Sequence, residues 1–229
     1  MAKSSVSQCV LCFEKDMKIL HIVPTAFEYF EKIRSEAFGL VDDLNNLGFA
    51  CEIITLQYSA VSKRLKSRVA EESEERIGFE KNYGDKELAD KLDKADIIHL
   101  HAPFLGMGKK LLKYKREHKE KKFLITMHAN LPYSDLFTII IWLYNGFYLK
   151  RLMNEADFVV AENEQIFRAG GGFSYLHDLQ KFVPMNNFTD FILENNPGLT
   201  EKIDNLKLNK PDLYAAVAYG ELYRLLSGE

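Results

Sequence analysis

The sequence predicts a doubly wound (Rossmann-like) α/β fold: a parallel sheet with helices on both faces. Short, continuously apolar runs recur along the chain, amphipathic helical stretches separate them, and turn residues close most of the runs. Strands covered on both faces read as unbroken apolar runs, and two parallel strands need a crossover that a helix normally provides. With 229 residues and 47% hydrophobic content, the chain can fill such a core.

"MKILHIVPT" is the first strand, closed by Pro24. A helix follows to Leu47, with Phe30, Ile33, Ala37, Leu40, Val41, Leu44 and Leu47 at helical spacing and Gly48 as its stop. "CEIITLQY" is the second strand. Residues 62–85 are charge-rich and mixed in sign, which fits a solvated helix or an insertion. A helix over Lys86–Lys94 leads into the strand "DIIHLH". "GKKLLKYKREHKEKK" reads as a surface helix and "FLITMH" as the next strand. A long apolar helix near Asp135–Glu155 then precedes the strands "ADFVVAE" and "KFVPM". The chain divides into a flexible polar tail (1–16), one α/β domain (17–191), a linker (192–210) and a final helix (211–229). In that helix Tyr214, Val217, Ala218, Leu222 and Leu225 form an apolar stripe that is expected to pack back on the domain.

Composition removes several function classes. A net charge of −3 gives no global pull toward nucleic acid, and no nucleic-acid-reading motif is present. Three cysteines are too few for a disulfide scaffold, which favours a cytoplasmic setting. Cys9 and Cys12 form a CxxC without a second ligand pair. The first 16 residues lack the apolar core of a signal peptide. The run Leu136–Leu149 falls short of the roughly 20 residues that a bilayer span needs.

The candidate site is the carboxyl edge of the sheet, where doubly wound folds hold their ligands. His101 ends one strand, His128 the next, and Thr25 follows the first. His99 points to the same face as His101 but lies deeper, so a hydrogen-bonded core role suits it better. The competing account of His101 and His128 is that loop backbone satisfies them. A His-x-His pair also presents two imidazoles to a metal, yet nothing following His101 supplies a third ligand, so no metal is expected. The turn "PTAFEYFEK" has no glycine to let backbone amides cradle a dinucleotide pyrophosphate.

Taken in order, "MKILHIVPT", "LNNLGFACEIITL", "ADIIHLHAP", "FLITMHA", "EADFVVAENEQ" and "KFVPMNNFTDF" resemble the N-terminal, acceptor-binding domain of family-four retaining glycosyltransferases with the GT-B fold. That family shows "DIIHAHxP", "PxVxTxHG", "ADxVIAxS" and "xVIPNGVDxxxF" in the same order. The resemblance spans Met17–Phe191. It implies transfer of a hexose-type sugar from a nucleotide-sugar co-substrate, with no other cofactor. It also implies catalytic roles for His128 and His101 and substrate contacts from Thr25, Pro103, Asn130 and Glu162.

Three departures from the family pattern stand out. The glycine pair after the first strand is replaced by "FEYFEKIRSEA", where Glu28 and Glu31 would repel a phosphate. "PMNNFTD" replaces "PNGVD". A nucleotide-sugar domain of about 150 residues is missing. The Glu-x7-Glu spacings at Glu28/Glu36 and Glu221/Glu229 lack the required glycine loop and are coincidental. The expectation is an acceptor domain, inactive alone, whose donor domain is lost between Phe191 and Pro211 or supplied by another subunit. The alternative is a non-catalytic, degenerate glycosyltransferase-fold module that binds a protein partner or a glycan; a third possibility is a fragment of an intact enzyme. A lipid-linked or glycan acceptor fits the first reading.

The segment "FTIIIWLYNGFYLKR" has two readings as well. It is either a buried cover for the sheet or a peripheral membrane contact, with Trp142, Tyr144 and Tyr148 at headgroup depth. In the second case Lys109, Lys110, Lys113, Lys115, Arg116, Lys119, Lys121 and Lys122 would attract anionic lipid; such a run is otherwise a solvated helix face.

Overall fold

The computed structural model describes residues 17–24, 30–56, 85–104, 107–128, 139, 143, 145–169, 172–188 and 211–228. The calls on the N-terminal tail, the charged stretch 62–84 and the linker lie outside these residues. The strands are β1 (Lys18–Pro24), β2 (Ala50–Leu56), β3 (Ile97–Ala102), β4 (Lys122–Met127), β5 (Phe158–Ala161) and β6 (Phe182–Pro184). They form one sheet in the order β2-β1-β3-β4-β5-β6, and every pairing is parallel. This is the Rossmann-like doubly wound arrangement. The order reverses between β1 and β3, so a crevice opens beyond the carboxyl ends of those two strands.

Two layers of helix cover the sheet. One face presents Leu20, Ile22, Ile98, Leu100, Phe123 and Ile125. It packs on α2 (Asp85–Lys94), α3 (Gly108–Glu117) and α4 (Lys150–Glu155) through residues such as Leu88, Leu111 and Leu152. The opposite face presents Ile19, Ile97, Leu124, Val160 and Val183. It lies under α1 (Glu31–Asn46) and the C-terminal helix α7 (Pro211–Ser227), which brings Val217, Tyr219, Leu222, Tyr223 and Leu226 to the core. Two short helices, α5 (Glu164–Ala169) and α6 (Gly172–Tyr175), lie between β5 and β6. Gly48 ends α1 at φ +100°, a left-handed backbone that favours glycine. Leu225 in the expected stripe of α7 is only half-buried, whereas Tyr223 takes the deep position.

Buried charge ties the strand ends together. Lys115, 5% exposed, donates to the Lys121 carbonyl at 2.6 Å and to Asp157 Oδ2 at 3.2 Å. Lys121 in turn donates to the carbonyls of Asp93 and Ala95. The basic run is therefore not a uniform solvated face, because these two lysines close loops. Removing Lys115 would take the buried donor from the Lys121 carbonyl, whereas Asp157 would keep the Phe123 amide at 2.8 Å and Lys122 at 3.9 Å.

The apolar segment before β5 also departs from the buried-cover reading. A π-helical turn, Asn145–Leu149, runs into α4. Leu149, Leu152 and Met153 are buried, but Ile139, Leu143 and Phe147 are 49%, 58% and 55% exposed. Ile139, Leu143 and Phe147 recur at i, i+4 and i+8, the spacing of one helix face. Trp142 and Tyr144 lie outside the described residues. The Arg151 guanidinium stacks 3.9 Å from the centre of the Phe147 ring. Among the described residues no helix is long and apolar enough to cross a membrane.

Candidate functional site: a histidine chain under the sheet edge

Parallel register builds the site. His21 on β1 pairs with His99 on β3, and His101 on β3 pairs with Thr126 on β4. Residues two apart on a strand share a face. His21, His99, His101 and Thr126 therefore converge on the face covered by α1 and α7. His128 follows β4, and its amide donates to the Ala102 carbonyl at 2.8 Å, which continues the ladder one step.

The side chains form one continuous hydrogen-bonded chain. His128 Nδ1 lies 2.8 Å from Glu36 Oε2, and His128 Nε2 lies 2.9 Å from His101 Nδ1. His101 Nε2 is 3.1 Å from His21 Nδ1, and His21 Nε2 is 3.4 Å from the Tyr223 hydroxyl. That hydroxyl is 2.7 Å from His99 Nδ1, and His99 Nε2 is 2.7 Å from Thr126 Oγ1. Thr126 Oγ1 meets the Tyr219 hydroxyl at 2.8 Å. With all four rings neutral, one assignment satisfies every contact: each carries its proton on Nδ1, and every donor points along the chain toward Glu36. Both nitrogens of all four rings are thus occupied.

Burial sets the charge states. Desolvation holds His21 down at about 3 and pushes His99 and His101 well below the usual imidazole range, helped in both by neighbouring histidines. Desolvation likewise pushes the Tyr219 and Tyr223 phenols up. Only the Glu36 end reaches solvent, with 45% of its side chain exposed against 10% for His128. The hydrogen bond from His128 keeps the Glu36 carboxylate below its ordinary range; Lys32, 3.4 Å away, adds to this.

His101 and His128 thus meet directly, as the shared sheet edge requires. Their depths differ. His101 is 1% exposed and touches only other side chains of the chain, so it acts behind His128 rather than on a ligand. His99 has the hydrogen-bonded core position expected for it. Pro103 is half-buried just past β3. Glu162, past β5, is exposed, and its carbonyl accepts the Asn186 amide at 2.9 Å. Neither takes part in the hydrogen-bonded chain. Thr25 and Asn130 lie outside the described residues, as do Cys9 and Cys12. Cys51 is half-buried on β2, and desolvation raises its thiol to about 12, which makes it unreactive.

Sequence reasoning missed His21, Glu36, Tyr219 and Tyr223. It also sought a third ligand only after His101, whereas a third imidazole, His21, stands beside the pair from β1. His21, His99 and His101 offer one nitrogen each within 4.8 Å of one another. No protein-family model matches this chain, and no curated protein sequence is significantly similar to it.

The Tyr223 hydroxyl is the link most easily tested. Tyr223→Phe keeps the ring but leaves His99 Nδ1 without an acceptor in a fully buried position. The expected loss in urea unfolding is about 1–3 kcal/mol. A neutral result would mean that the chain is not continuous at this point.

Proposed function

We propose that the chain is the acceptor-binding half of a GT-B-like hexosyltransferase. It would transfer sugar from a nucleotide-sugar only when a second subunit provides the donor domain. The observation that carries this reading is the placement of the His128–Glu36 pair, which marks the one solvent-facing end of the polar chain. This end lies at the carboxyl edge of a sheet whose strand order reverses nearby. Glu36, held ionised, is suited to accept a hydrogen bond from a sugar hydroxyl. His128 fixes its orientation, and His101 is a positioning residue behind it. In the transfer, the acceptor hydroxyl oxygen bonds to the anomeric carbon as the bond from that carbon to the nucleotide diphosphate breaks. The hydroxyl proton leaves with the departing phosphate.

A lipid-linked acceptor fits the exposed stripe of Ile139, Leu143 and Phe147, with the exposed cations Lys109, Lys110 and Lys113 on α3. This would be a peripheral membrane contact made from the cytoplasmic side. The second reading is a non-catalytic module for a glycan or a protein partner. It is favoured by the complete internal pairing of the ring nitrogens of His21, His99, His101 and His128, which leaves none of these four rings a lone pair for a reacting group.

The test is an NMR titration of labelled histidine with a panel of hexosides, free in solution and as glycolipids in vesicles. A saccharide that shifts the His128 signals in wild type but binds at least tenfold more weakly to Glu36→Gln supports an acceptor site. Sugar transfer by the purified chain alone, or no response to any saccharide, defeats the proposal.

A further inference from the structure

The geometry points to a closed structural site for one divalent transition-metal ion, Zn²⁺ by preference, held by His21, His99 and His101. Two ligands come from β3 and one from β1, both central strands, so the backbone fixes their spacing. A tetrahedral zinc with ligands at about 2.0–2.1 Å needs its donor nitrogens about 3.3 Å apart. His21 Nδ1 and His101 Nε2 are already 3.1 Å apart. The three imidazoles lie within 4.8 Å, so His99 must close by roughly 1.5 Å at most to complete the triangle.

The surroundings suit a metal as well as the ligands do. A ligating imidazole normally donates its second nitrogen to an outer partner, which fixes the ring and raises its basicity. His101 Nδ1 faces His128, which faces the Glu36 carboxylate, so negative charge is relayed toward the ion. With His21 Nδ1 inward, its Nε2 faces the Tyr223 hydroxyl. Whichever nitrogen His99 uses, the other keeps a hydroxyl, from Tyr223 or from Thr126. The Tyr223 hydroxyl serves the outer ring nitrogens, so the fourth position would fall to a water enclosed with the ion. All-nitrogen sites of this kind suit zinc, copper or nickel rather than calcium or magnesium. The three rings are 0–1% exposed, so the ion would be closed off from any substrate, and it would pin β1 to β3. This inference does not depend on the sugar-transfer reading.

Untagged full-length protein, purified without chelator, is expected to carry about one equivalent of zinc by elemental analysis. A strong chelator should lower Tm by about 5–10 °C, and added Zn²⁺ should restore it. Co²⁺ loading should give the visible absorption of a tetrahedral centre. His99→Leu should abolish both signals, whereas His177→Ala, on the exposed surface, should leave them unchanged. Should His99→Leu fail to fold, X-ray absorption of the wild-type zinc protein replaces it, with a nitrogen-dominated, imidazole-rich shell expected. Substoichiometric metal with no chelator effect overturns the inference; so does a sulfur-containing shell, which would point to Cys9 and Cys12, or full metal retention by a folded His99→Leu.

Discussion

A chain ending at residue 210 is expected to lose its cooperative unfolding transition and to bind a hydrophobic dye. α7 shares one face of the sheet with α1. It buries Tyr214, Val217, Tyr219, Leu222, Tyr223 and Leu226 against Ile19, Ile97, Leu124, Val160 and Val183. At about 1.5–3 kcal/mol for each large side chain, the apolar part alone amounts to roughly 10 kcal/mol. That is comparable with the ~5–15 kcal/mol of net stability of an ordinary domain. The truncation also strips Tyr223 from His99 and Tyr219 from Thr126, leaving polar groups facing an open apolar surface. Adding residues 211–229 in trans as a peptide should restore part of the signal at high concentration. A truncated protein with sharp thermal unfolding and native dispersion in NMR would show that α7 is an accessory.

Acid is expected to unfold the metal-free protein well above the pH at which carboxylates alone would do so. His21, His99 and His101 are fully buried and held neutral, with native affinities for protons below the ordinary 6.5. Below pH 6.5 the unfolded chain binds protons that the native state refuses, so stability is complete above that value and falls as pH drops toward the native values. Each such histidine contributes a slope of up to about 1.4 kcal/mol per pH unit. Three together give at most roughly 4 kcal/mol per unit, enough to exhaust ordinary stability near pH 4.5. Glu36, whose native value is lowered by its hydrogen bond from His128, acts in the same direction at still lower pH. Glu221, raised by partial burial, acts weakly the other way. Urea melts between pH 7 and 5 should show uptake of two to three protons on unfolding. A flat profile over that range would mean that the buried rings accept protons in the native state.

The sheet was legible because parallel strands with both faces covered write themselves as apolar runs. Each of the six strands coincides with a run read from the sequence, with at most one residue outside it. The site was legible only in part. His101 lies one residue before the end of β3 and His128 one residue past β4, and that local signal located them. His21 stands inside "KILHIVP" with nothing local to separate it from a core residue; only alignment of β1 with β3 in register exposes it opposite His99. Glu36 meets His128 across 92 residues, and Tyr223 meets His21 across 202, distances over which helical spacing carries no information. The apolar segment before β5 misled for another reason. Its composition is that of a core helix, but Ile139, Leu143 and Phe147 face outward, and hydrophobicity alone does not reveal which side a helix turns inward.

The separation between His21 and Tyr223 bears on how the molecule forms. Contacts of such high sequence separation are slow to gain because the intervening chain must first give up its freedom. β1, β2 and the helix between them are neighbours in sequence and can assemble early, whereas docking of α7 onto the sheet must wait for a platform to exist. The hydrogen-bonded heart of the protein is thus expected to form late, and a chain in which α7 has not yet docked would expose an apolar sheet face open to self-association.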